Sequence, residues 1–73
     1  MIVPESIRRH VRALDLHEQR AELHDEAAER YDALGDHELA AIERRRAEVQ
    51  RLSRDIEQDH LDLLERRTER RAA

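Results

Sequence analysis

The chain has 73 residues and a formal net charge of −4; 44% of them are charged and 38% hydrophobic, with one Gly, one Pro, no Cys and one aromatic residue, Tyr31. Without cysteine there is no disulfide framework, thiolate metal site or cysteine nucleophile, and no apolar run approaches the roughly 20 residues of a membrane helix. One Gly and one Pro cannot punctuate a many-turn β-fold, and the acidic balance argues against general nucleic-acid binding, which needs a cationic surface.

The elements follow in chain order. Pro4 and Glu5 suit the first turn of a helix. From there Ile7, Leu14, Ala21 and Ala28 recur every seven residues, with Leu16, Leu23, Ala27 and Leu34 beside them. Leu34-Gly35-Asp36-His37-Glu38 is the only interior punctuation. Gly35 suits the left-handed position that ends a helix, and Asp36 suits the N-cap of the next. After it Ile42, Val49, Ile56 and Leu63 again recur every seven residues, with Leu39, Leu52 and Leu64 on or near the same face. Arg66, Arg67, Arg70 and Arg71 fit the negative end of that helix. The reading is one two-helix unit over residues 1–73, with a helix over about 4–34, a turn at 35–36 and a helix over about 37–70.

A continuous rod competes, because a lone Gly costs only about 1 kcal/mol inside a helix. Charge decides the matter. Residues 15–38 carry nine acids and two Arg, whereas residues 39–54 carry two acids and five Arg. Folding back at Gly35, so that position i meets about 70 − i, sets the acidic block along Arg44, Arg45, Arg46, Arg51 and Arg54. It also sets Arg8, Arg9 and Arg12 near Asp59 and Asp62. A parallel pair of rods would lay the acidic block on its own copy. The expected fold class is therefore all-α, an antiparallel, coiled-coil-like helical hairpin. Leu16, Leu23, Tyr31, Leu34, Ile42, Val49, Leu52, Ile56 and Leu63 are its expected core and oligomer seam, with Leu61 and Leu64 off that seam. Two helices bury little, so a homodimer closing a four-helix bundle is expected.

His10, His17 and His24 recur every seven residues and Tyr31 continues the column. Consecutive members are ~10.5 Å apart along the axis, so a metal site must be built across helices. His60 comes opposite His10 in the fold-back register, and Glu57-Gln58-Asp59-His60 is a Glu-x-x-His motif of the kind carboxylate bundles use for metals. The candidate ligands are thus His10, Glu57 and His60, for iron, zinc or manganese. The other readings of the column are histidines bonded to carboxylates across the interface and a pH-responsive interface.

The turn from Arg30 to Ile42, with Glu57, His60, Leu63 and Leu64 further on, resembles the encapsulated ferritins, two-helix proteins that build an iron site between subunits. Aligned through the turn, that family's Glu-x-x-His falls on Gln50 and Ser53 and its helix-one carboxylate on Arg20. The resemblance implies a ferritin-like hairpin more than it implies ferroxidase activity.

No Gly-rich phosphate loop or nucleophile in a triad context occurs. The expected function is a non-enzymatic helical interaction or scaffold protein acting as a homo-oligomer, with no cofactor. The alternative is a metal-binding ferritin-like bundle with an inter-subunit His/Glu site. The acidic face of Glu22, Asp25, Glu26, Glu29 and Asp32 is a candidate surface for a basic partner. Arg-only basic composition matches GC-rich bacterial coding, and the lack of cysteine and export signal suits the cytoplasm.

Overall fold

The computed structural model describes residues 5–72, which form two helices, α1 (Glu5–Ala33) and α2 (His37–Ala72), packed against each other as a hairpin. The Cα trace measures 58 × 17 × 11 Å. No strand occurs among the described residues. Pro4, expected to open the first helix, lies outside them. Helix α2 runs two residues past its expected end.

The reversal is built from backbone hydrogen bonds. The Asp36 N–H donates to the Tyr31 carbonyl at 2.9 Å and the Gly35 N–H to the Asp32 carbonyl at 3.0 Å. This nested pair satisfies carbonyls that the end of α1 would otherwise leave bare. It requires a left-handed residue, and Gly35 has φ 78°. Asp36 then caps α2, its Oδ1 accepting from the Leu39 N–H at 3.1 Å. A Cβ at Gly35 would meet nothing within 4 Å, so only the backbone angle resists substitution. Gly35→Ala should cost about 1 kcal/mol, and Asp36→Ala about the same through the lost cap, both read as shifts in the urea midpoint.

The helices meet through small side chains. Ala21, Ala28, Ala40 and Ala47 are between 0% and 1% exposed, and Leu61, at 6%, closes the seam toward the open end. Half-buried Ile7, Leu14 and Leu64 extend it there. Alanine at the contact admits the near end of the roughly 8–10 Å range of interaxial distances.

This corrects the expected seam. Leu16, Leu23, Leu34, Ile42, Val49, Leu52, Ile56 and Leu63 are exposed in the hairpin, and Tyr31 is half-buried. Leu61, expected off the seam, is buried in it. At 100° per residue Val49 points roughly 160° away from Ala47, so both columns cannot face α1. In this rotation polar pairs align on both flanks of the alanines.

One flank is ionic. Arg54 donates to Glu18 at 3.0 Å, Arg51 pairs with Asp25, and Arg44 pairs with Asp32. Three rungs along the length agree with the expected opposition of charge blocks. Each is exposed and worth ~0.2–1 kcal/mol, so they select register more than they stabilise. The expected pairing of Arg8, Arg9 and Arg12 with Asp59 and Asp62 does not form. Arg9 and Arg12 turn instead to Glu5 on their own helix, at 3.8 and 2.9 Å, a shorter reach than crossing the hairpin. Arg46 likewise pairs within α2, with Glu43 at 2.8 Å.

Candidate functional site

The other flank carries the histidines. His10 donates from Nδ1 to Glu57 at 2.5 Å, His17 to the Gln50 side-chain oxygen at 2.7 Å, and His24 to Glu43 at 2.6 Å. The residue numbers of each pair add to 67, so the three rungs share one register. A carboxylate or amide oxygen accepts, which places the proton on Nδ1 in each ring. All six side chains are half-buried. The arrangement is the expected bonding of histidines across the interface, with an amide replacing the carboxylate at the middle rung.

Glu43 did not figure in the sequence reading, and Gln50 figured only as a position in the ferritin alignment. The signal was there: Glu43, Gln50 and Glu57 recur every seven residues, in the reverse order of His24, His17 and His10. The Ala40 and Ala47 column was overlooked in the same way, because Arg54 interrupts it before Leu61.

The hydrogen bond from His24, aided by Arg46, holds the Glu43 carboxyl below its ordinary 4.5. Arg44 and, secondarily, His37 hold Asp32 below its ordinary 3.8. Asp32 in turn raises Arg44, and Asp25 raises Arg51. Both carboxyls are depressed in the folded state, so their contribution is complete above the unfolded values and is lost as pH falls through the folded ones. Thermal stability should therefore decline below about pH 4.5, and Glu43→Gln with Asp32→Asn should flatten that decline. Parallel acid slopes for parent and double variant in circular-dichroism melts would contradict the assignment.

Beside the ladder lies the exposed apolar face. His24 and Gln50 share a shallow groove with Ile42, Val49, Arg45 and Arg46, so Ile42 and Val49 border the ladder on the side away from the ionic flank. By helical phase Ile56 and Leu63 continue that face along α2, and Leu16 and Leu23 lie on the matching side of α1.

The outermost rung holds the three residues singled out as metal ligands. His10, Glu57 and His60 each offer a ligand atom within 4.8 Å of the others. The His10 and His60 rings have centroids 4.2 Å apart and are tilted by 58°. Gln50, Ser53 and Arg20, where the ferritin alignment places ligands, form no such group; Gln50 is committed to His17. Of the acidic face, Asp25 and Asp32 are tied to Arg51 and Arg44, while Glu22, Glu26 and Glu29 are exposed. No helix among the described residues is long and apolar enough to cross a membrane.

Comparison with protein-family models, with curated proteins and with solved structures finds no match.

Proposed function

We propose that this chain is a self-associating helical hairpin, a non-enzymatic interaction module whose working form is a homodimer closed as a four-helix bundle. The observation that carries this reading is the split between the two apolar sets. The hairpin buries Ala21, Ala28, Ala40, Ala47 and Leu61 but no large side chain completely, while Val49, Ile56 and Leu23 are 60%, 61% and 61% exposed. So many large apolar side chains left outside mark an interaction surface.

A second copy is its natural occupant. The face is built from heptad columns on both helices of one hairpin, so a two-fold partner offers the same ridges and grooves in return. Covering it would also place the His ladder inside the bundle, where fully paired polar groups specify register. Ferritin-like pairing of hairpins is one form of this architecture.

Sedimentation equilibrium over a range of concentrations tests the reading. The expected mass is twice the 8.7 kDa of the chain, with helicity falling on dilution because association and folding are linked. A single-chain mass with helicity independent of concentration would overturn it.

A further inference from the structure

We infer that His10, Glu57 and His60 form a binding site for one divalent transition-metal ion, of the zinc class, at the outer end of the hairpin. All three donors belong to one chain, so the site does not depend on the pairing of copies. Two imidazoles and a carboxylate are a donor set suited to Zn²⁺ or Fe²⁺ with a position left open, and ill suited to Mg²⁺ or Ca²⁺, which take oxygen ligands.

The geometry is close to what an ion needs. Metal–nitrogen and metal–oxygen bonds of ~2.0–2.2 Å set tetrahedral donors roughly 3.3–3.5 Å apart. The present donors lie within 4.8 Å of one another, so closure needs movements on the order of 1.5 Å. His60 is exposed and free to make such a movement; His10 and Glu57, with side chains 21% and 28% exposed, are hydrogen-bonded to each other, and an ion that takes both as ligands replaces the proton between them, which is released on binding.

The ladder supplies its own comparison. Each rung has the same frame, a histidine on α1, its acceptor on α2, and a third residue three positions further along α2. At the inner rung that third residue is Arg46, which gives Glu43 a cation already, at 2.8 Å. At the middle rung the acceptor is the uncharged Gln50 and the third residue is Ser53. Only the outer rung combines an anionic acceptor with a second imidazole, whose ring lies tilted against the first.

The test uses the full chain purified without a polyhistidine tag and stripped with chelator. It is titrated with Co²⁺ under visible absorption and then with Zn²⁺ by calorimetry. One Co²⁺ per chain, displaced by Zn²⁺ and not by millimolar Mg²⁺, is expected. His60→Ala and Glu57→Gln should each weaken Zn²⁺ binding at least ~10-fold, with His37→Ala, at the start of α2, leaving it unchanged. His60 is exposed, so its variant keeps the hairpin, as far-ultraviolet circular dichroism will verify; His60→Gln serves as a second probe of the same position. Absence of a stoichiometric Co²⁺ spectrum, or equal Zn²⁺ affinity in the His60 variants and the parent, would overturn the assignment.

Discussion

With the hairpins paired as proposed, Val49→Glu and Ile56→Glu should each convert dimer to monomer, with association weakened at least ~100-fold. In an isolated hairpin both side chains are more than half exposed, and a surface substitution of this kind changes stability by no more than about 0.5 kcal/mol. In the proposed dimer the same change puts a carboxylate into an apolar face covered by the partner, where desolvation costs several kcal/mol. The two architectures therefore predict opposite results from one substitution. Light scattering coupled to gel filtration reads the mass directly. Because the alanine seam is thin, the monomer released by either variant should also lose helicity, most clearly at low concentration. Retention of the dimer in both variants would place the interface elsewhere on the hairpin.

The second large effect is expected inside the seam. Ala28→Leu or Ala47→Leu should destabilise the fold by about 1–3 kcal/mol. Both positions are essentially inaccessible, so added carbons can be housed only by separating or rotating the helices. Separation would also stretch the His17–Gln50 and His24–Glu43 hydrogen bonds, now 2.7 and 2.6 Å, leaving half-buried polar groups without partners. Ala41→Leu is the control. Ala41 is exposed on the same helix, and the change there should stay within about 0.5 kcal/mol. Urea midpoints at one fixed protein concentration compare the three. Equal midpoints would mean that the alanines do not set the helix separation.

The pH-responsive reading of the histidines meets a definite environment here. His24 and His10 each donate to a carboxylate, whereas His17 donates to an amide.

Local chemistry was legible throughout. Gly35 and Asp36 announced the reversal because only a residue tolerant of positive φ ends a helix in this way, and only a short polar side chain caps the next. The blocks of opposite charge announced the direction of folding back. His10, Glu57 and His60 were brought to one place by register alone, since two helices of known rise meeting at a known turn leave little freedom along the axis. These signals are short-range or one-dimensional, and heptad spacing records them.

Helix rotation about its own axis was a different matter. Reading the largest side chains as the seam assumes that size decides which face turns inward. In this chain the inward face is decided by fit: alanines let the helices approach, and only that approach lets Glu43, Gln50 and Glu57 reach His24, His17 and His10 while Arg44, Arg51 and Arg54 reach Asp32, Asp25 and Glu18. The sequence by itself determined the two helices, their turn and their axial register, all properties of neighbours in the chain or of its pattern of charge. Which stripe each helix shows to its partner, and therefore which apolar residues are left facing outward, was settled by the tertiary structure, because it depends on both flanks of the contact being satisfied at once.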